Sequence, residues 1–297
     1  MTSLARAERG GCGKRLVCLI LPLVLAACSQ SETPAHPALW RATNGPVTLW
    51  LLGTIHLLPK NITWQGPLIE RAVAESDALV LEIPAGDAPN AQTTSFLRYG
   101  RATNLPPVLD RVAPERQAAL RDAIAASNMT IATLDGLKSW AAAASIGVGA
   151  SRSVGASAAN GVEAVLVGRF AGRPQQGLET LESQFAMLDA LPEPAQRLLL
   201  DQAISEATGA RQSYQATLSA WATGDVARIA KASDADFAKA PELEAALVTR
   251  RNRRWADALA ARAPGTALVA VGAGHMVGPN ALPALLNARG FRVARVQ

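Results

Sequence analysis

Three histidines stand in 297 residues, and two of them share one setting. His56 in "LLGTIHLLP" follows Gly53 by three residues, and His275 in "VAVGAGHMVG" follows Gly272 by three. A neutral imidazole offers a lone pair to a metal ion or to a proton. A glycine directly after an apolar run allows a turn that a β-carbon would hinder, so each G-x-x-H motif aims its imidazole across a strand tip. Taken singly, a loop histidine is more often a satisfied structural residue than a ligand. Two in matching contexts, in a chain with one further histidine, point to a shared site.

Carboxylates and an arginine complete the candidates. Glu82 ends the apolar run Ala78-Leu79-Val80-Leu81, which draws it toward an interior where an unpaired charge is costly. A metal ion or an arginine would satisfy it; the bland alternative is that it faces solvent at the strand end. Glu179 in "QGLETLESQ" is a second acid after a short strand, just before a helix that Thr180 could cap. It could equally be a helix-start acid favoured by the dipole. From about Pro241 to Ala261, Leu243, Leu247, Trp255 and Leu259 fall at steps of four, and Arg251 fills the gap in that stripe. A guanidinium losing water there is tolerated when a carboxylate or anionic substrate pairs with it. The alternative is a solvated basic face, "TRRNRRW", with Arg251 snorkelling.

These residues must be positioned by strands and helices. "LWRA", then Thr43-Asn44-Gly45-Pro46, then Val47 to Leu52 reads as a hairpin whose turn Asn44-Gly45 tolerates positive φ. After "GTIHLLP" come a helix from Pro67 to about Glu75, opened by proline, and the buried strand "ALVLEIP". The chain's end has the same grammar: a strand from Thr266 to Val271, a loop from Gly272 to Gly278, a helix from Pro279 to Arg289 closed by Gly290, and a last strand from Phe291 to Val296. Between these units lies an alanine-rich, mostly helical stretch, with a strand-like pair over Glu163 to Glu179. The expectation is an α/β domain over 39–297: a mainly parallel central sheet flanked by helices, a G-x-x-H βαβ unit at each chain end and a helical insertion over about 100–235. Ligands of such sheets collect beyond the carboxyl ends of the strands, where both histidines and Glu82 belong.

Residues 1–27 are read separately. Arg6, Arg9, Lys14 and Arg15, an apolar run from Leu16, and Leu25-Ala26-Ala27-Cys28 make an export signal. Its apolar run of about a dozen residues is short of the roughly 20 that span a bilayer. The Leu-Ala-Ala-Cys quartet resembles a bacterial lipobox, which implies cleavage before Cys28, lipidation of its thiol, and a tether over 28–38 that includes His36. Ser29 after the cysteine favours the outer membrane, facing the periplasm. Without the leader, 25 basic residues stand against 23 acidic ones, so the high isoelectric point gives no warrant for nucleic-acid binding. Cys12 and Cys18 leave with the leader, so no internal disulfide is possible.

Other chemistries lack their motifs. "GAGHMVG" is one residue longer than the dinucleotide fingerprint, and no acid follows Asp257 to meet a ribose, which argues against a nucleotide cofactor. There is no G-x-S-x-G elbow, P-loop or H-E-x-x-H.

The chain resembles the TraB/PrgY/GumN family, to which the Tiki metalloproteases are related within the erythromycin-esterase and ChaN-like superfamily. The matching pieces run in order from about Leu39 to the C-terminus: "LLGTIHLLP", "ALVLEI", "LDGLKSW", "GLETLESQ", "WATGDV", "RNRRWA" and "VAVGAGHMVGPNALPALLNARGFRV". The resemblance implies that His56, His275 and Glu82 form the core of the site. It also implies that Arg251 and Asn252 are the family's Arg-Asn pair, with Asn252 assigned to substrate. Arg250 stands where the family has an acid, and Glu163 where it has an aspartate.

The expected function is a lipid-anchored, divalent-metal-dependent hydrolase of peptide or ester bonds. His56 and His275 would be metal ligands, Glu82 a third ligand or the general base to a bound water, Arg251 would stabilise the oxyanion or orient Glu82, and Glu179 would be a further catalytic residue. Two imidazoles and a carboxylate suit manganese, zinc, cobalt or iron alike. The rivals are a metal-free hydrolase with histidine as base, a non-catalytic metal-, haem- or peptide-binding surface lipoprotein, and a partner-binding protein whose G-x-x-H loops are structural.

Overall fold

The computed structural model describes residues 32–84, 89–238 and 240–297. The export signal and Cys28 lie outside the described residues. A six-stranded sheet organises the rest in the order β6-β5-β7-β3-β2-β8, with β2 at Leu39–Asn44, β3 at Val47–Thr54, β5 at Ala78–Leu81, β6 at Gln175–Gly177, β7 at Gly265–Gly272 and β8 at Arg292–Arg295. Strands β6, β5, β7 and β3 are parallel, while β2 runs antiparallel to both β3 and β8. The mainly parallel sheet expected from the sequence is therefore present. Asn44 pairs with Val47, and the hairpin turns on Gly45 at φ 54° followed by Pro46.

The two G-x-x-H units are interleaved rather than set side by side. Strand β7, from the C-terminal unit, inserts between β3 and β5 of the N-terminal one. Its register pairs Thr54 with Gly272, Gly53 with Val271, and Leu81 with Ala270. Thr54, Gly272 and Leu81 thus end at nearly the same level, on the carboxyl edge where open α/β sheets gather ligands.

Both faces of the sheet are covered, which explains why its strands read as unbroken apolar runs. One face, with Trp50, Leu52, Leu79 and Leu268, packs on Ile69 of α1 (Pro67–Glu75), on Leu166 and Phe170, and on Trp221. The other, with Leu49, Leu51, Val80 and Val269, packs on Trp255, Leu259, Leu282 and Leu286. The last two belong to a helix at Leu282–Asn287, shorter than the expected span from Pro279.

The middle of the chain is helical: α2 (Pro89–Gly100), α3 (Gln117–Ala126), α4 (Ile131–Asp135), α5 (Ser139–Ser153), α6 (Val162–Arg169), α7 (Leu181–Asp189), α8 (Glu193–Thr208), α9 (Ala210–Ala222) and α10 (Val226–Phe237). Leu120, Trp140, Ile146, Leu200 and Ile204 of α3, α5 and α8 give it a separate core. The expected strand pair over Glu163 to Glu179 is half corrected. Its first member is α6, because Val162, Leu166 and Phe170 recur every four residues and all are buried, a helical stripe that the valine-rich local sequence disguises. The second member is β6, so the insertion returns to the sheet part-way through.

Two boundaries move. Thr33–Pro34 forms β1 against β4 (Ile62–Thr63), Ala35 is buried, and His36 N–H donates to Ala222 O at 2.6 Å, so the ordered fold begins ahead of Leu39. The helix expected over Pro241 to Ala261 is α11 (Pro241–Glu244), a π turn at Ala245–Thr249, and α12 (Arg250–Ala260). Such π turns insert a residue and are frequent at functional sites. Leu243, Trp255 and Leu259 are buried as the stripe requires, and Arg251 with them.

Candidate functional site

The first G-x-x-H loop is held by the mid-chain helices. Trp221 Nε1 of α9 donates to Gly53 O at 2.8 Å, and Tyr214 of the same helix donates its hydroxyl to Leu57 O at 2.8 Å. Val162 N–H, at the start of α6, donates to Ile55 O at 3.2 Å. A β-carbon on Gly161 would lie 2.1 Å from His56 O, so only glycine lets α6 come this close. That approach brings Glu163, in the first turn of α6, to His56: Glu163 Oε1 is 2.7 Å from Nδ1 and also accepts from the Thr54 hydroxyl. The hydrogen bond to Glu163 raises the His56 pKa to about 9, against the opposing effect of its partial desolvation. His56 is therefore protonated near neutral pH in this arrangement. Its side chain stays 64 % exposed.

The second loop is held by α12, and its histidine is buried. His275 Nδ1 lies 2.7 Å from Asn252 Oδ1. Asn252 Nδ2 donates to His275 O at 3.0 Å and to Asn280 O at 2.8 Å, which leaves Oδ1 only the role of acceptor. The tautomer assigned from this network has its proton on Nδ1 and its lone pair on Nε2. Arg251 Nη1, 3.1 Å away, donates to that lone pair. Burial is the main cause that lowers the His275 pKa, to about 4, so the ring is neutral. It packs on Trp255 with centroids 4.5 Å apart, and Arg251 lies 4.5 Å from the same indole.

Arg251 joins the acids. Its Nη2 donates to Glu82 Oε2 at 2.6 Å and also to Glu179 Oε1, which receives Nε at 2.9 Å as well. The Gly272 N–H donates to Glu82 Oε1 at 2.7 Å. Burial alone would raise the Glu82 pKa, but the neighbouring His275, Arg251 and His56 and this amide outweigh it and hold the carboxyl below its ordinary range. Charged hydrogen bonds of this kind compensate the desolvation of a buried acid.

The two histidines meet over Gly272. A β-carbon built there would lie 3.1 Å from Glu82 Oε1, 3.7 Å from His275 Cδ2 and 3.8 Å from His56 Nε2. His275 Nε2 is 3.8 Å from Glu82 Oε1. All the residues expected at the site, His56, Glu82, Glu179, Arg251, Asn252 and His275, are thus brought together. His36 is not among them; its Nδ1 would lie 4.0 Å from a β-carbon added at Gly66.

Donor orientation suits a cation. Each imidazole is fixed through Nδ1 by an oxygen acceptor, as in histidines that ligate through Nε2. Glu82, Glu163 and Glu179 face the Arg251 guanidinium and the His56 imidazolium, and the exposed Arg254 Nη2 stands 3.8 Å from Glu179 Oε2. Among the described residues, however, no three His, Cys, Asp or Glu side chains are grouped closely enough to close on one ion. Arg251 Nη1 occupies the His275 lone pair, and an ion there requires the guanidinium to draw back onto Glu179 and Leu247 O, which it already bonds.

The family model of the TraB/PrgY/gumN family matches residues 38–295. The chain belongs to that family. Neither the curated proteins nor the solved structures yield a match. Within this TraB/PrgY/gumN chain, the residue that the sequence reading passed over is Glu163, noted only as a departure from aspartate. The Val162-Leu166-Phe170 spacing was the signal, since it puts Glu163 in a helix's first turn beside a glycine. Asn252, assigned to substrate, instead spends its side chain on His275 and two carbonyls and is 0 % exposed.

Proposed function

We propose that this TraB/PrgY/gumN protein is a metal-dependent hydrolase of peptide or ester bonds, anchored by a lipid at Cys28 to the cell envelope, with its substrate met at the His56–His275 edge of the sheet. The observation that carries the reading is the pair of imidazoles, each anchored at Nδ1 by an oxygen, that converge with Glu82 over Gly272. His56 Nε2, His275 Nε2 and Glu82 would hold the ion. A divalent ion so held supplies Lewis acidity and an acidified water. Asn252 keeps the proton on His275 Nδ1 and so keeps the Nε2 lone pair available. Glu163 would do the corresponding work for His56, which could hold the ion through Nε2 only without the proton that Nε2 carries in the imidazolium. Glu82, ionised and aimed by Arg251 and Gly272, is placed to accept a proton from an attacking water. Arg251, once drawn from His275, presents N–H groups to the oxyanion that forms as a carbonyl is attacked.

One observation favours a second reading, a hydrolase without metal: Arg251 donates to the His275 lone pair as the site stands. The test is turnover of peptide and ester panels by the purified protein after exhaustive chelation and after return of manganese, zinc, cobalt or iron. Activity that vanishes with chelation, returns with one of these ions and is lost in Glu82→Gln supports the first reading. Activity unaffected by chelation supports the second. Metal bound without turnover makes the protein a binding lipoprotein.

A further inference from the structure

At the opposite ends of the strands that carry Glu82 and Gly272 lies a second concavity. It has a volume of about 410 Å³ and is lined where β5, β6 and β7 begin or pair and where α12 ends. This is within the size range of small-molecule pockets, roughly 300–1,000 Å³. Along β7, at about 3.3 Å per residue, the Gly265–Thr266 end of the cavity stands roughly 20 Å from Gly272, and Leu178 on its other side is the chain neighbour of Glu179.

Its one cation is Arg262, just beyond the end of α12. The side chain is half-buried, and Nη1 donates to Gln176 Oε1 at 2.6 Å. Among the described residues no carboxylate lies within ion-pair distance of this guanidinium. The other inward arginines have their partners: Arg251 has Glu82 and Glu179, Arg116 has Asp201, and Arg111 has three carbonyls. Burial lowers the Arg262 pKa with no opposing charge. A partly desolvated cation that no carboxylate among the described residues answers favours an anion from outside.

The geometry narrows the anion. With Nη1 engaged by Gln176, the Nε–Nη2 edge remains, and that planar edge matches the two oxygens of a carboxylate. Leu178, Ala258, Ala263 and Pro264 give the cavity an apolar side, which suits an organic anion better than a hydrated inorganic one. Asp77 lies at its margin, with Oδ2 accepting the Thr266 N–H, and its negative charge disfavours a dianion. We infer that this cavity is a binding site for a small organic monocarboxylate, held side-on by Arg262 with its apolar part against Leu178 and Pro264.

The test uses benzoate and hexanoate as probes on the purified protein, followed by amide NMR. The expected result is saturable shifts at Gln176–Leu178 and Ala263–Thr266 with millimolar affinity, unchanged by equal ionic strength of sulfate. Arg262→Gln should weaken the affinity at least tenfold. Arg262→Lys, which keeps the charge but loses the fork, should weaken it several-fold, and it serves as the decisive variant if Arg262→Gln fails to fold. His56→Ala should leave these shifts in place, which separates this site from the histidine site. No saturable shift at those amides, equal binding by the wild type and both variants, or shifts confined to the His56 and His275 loops would overturn the inference.

Discussion

The two G-x-x-H loops have the same motif and nearly opposite environments. Loop 53–58 is held from the insertion, by α6 and α9, and its histidine is exposed, tied to a carboxylate and protonated. Loop 272–276 is held by α12, and its histidine is buried, tied to an amide and neutral. A shared G-x-x-H pattern therefore fixes only where an imidazole leaves the sheet. What the imidazole does there is set by its surroundings. The Glu163 carboxylate stabilises a positive ring at His56, whereas at His275 Asn252 holds the proton on Nδ1 while burial and the Arg251 guanidinium at Nε2 keep the ring neutral. One histidine is a preset donor of a lone pair, and the other must lose a proton to become one.

Breaking the buried side should have the largest effect. Arg251→Ala leaves Glu82 and Glu179 buried without their cation and should destabilise the fold by about 3–5 kcal/mol, measured by urea unfolding. Little change would mean that the two acids reach solvent or take protons at no cost. Asn252→Ala strands the His275 ring N–H and two carbonyls, for a loss of about 1–3 kcal/mol and release of the fixed tautomer. Long-range ¹⁵N–¹H correlation of the imidazole should then show Nε2 protonation that the wild type lacks.

The exposed side should respond in chemistry more than in stability. Glu163→Gln removes the main cause of the raised His56 pKa, so the ring's NMR titration should move from about 9 toward its ordinary 6.5. The pH dependence of stability follows with opposite signs for the two rings. His56, raised on folding, contributes stability that is full below pH 6.5 and is lost as the pH rises through about 9. His275, lowered on folding, contributes stability that is full above pH 6.5 and is lost as the pH falls through about 4. The destabilisation by Glu163→Gln should accordingly shrink from pH 6.5 to 9, and solvent screening keeps it small because His56 is largely exposed. Tyr214→Phe, which frees Leu57 O from α9, should cost the least, about 1 kcal/mol. A cost equal to that of Asn252→Ala would show the first loop to be as rigidly held as the second.

Much of this contrast was legible in the residues. The strands were readable because both faces of a parallel sheet are covered and the apolar runs are unbroken. Arg251 was readable because a charge in a leucine and tryptophan stripe must be buried or break the stripe. The insertion of β7 between β3 and β5 was not, since long-range strand order leaves no local periodicity. Glu163 was hidden behind a valine-rich segment that resembles a strand when read without its four-residue spacing. Asn252 was assigned to substrate because nothing in "RNRRW" tells whether an amide faces a ligand or two carbonyls.

The central claim is that histidines 219 positions apart in the chain act as one site, and calorimetric titration with manganese and zinc tests it most directly. Wild type should bind one divalent ion per chain. His56→Ala and His275→Ala should each abolish that binding, and the double variant should lose nothing more than either single one. Independent, additive losses, or binding that survives either substitution, would contradict a shared site.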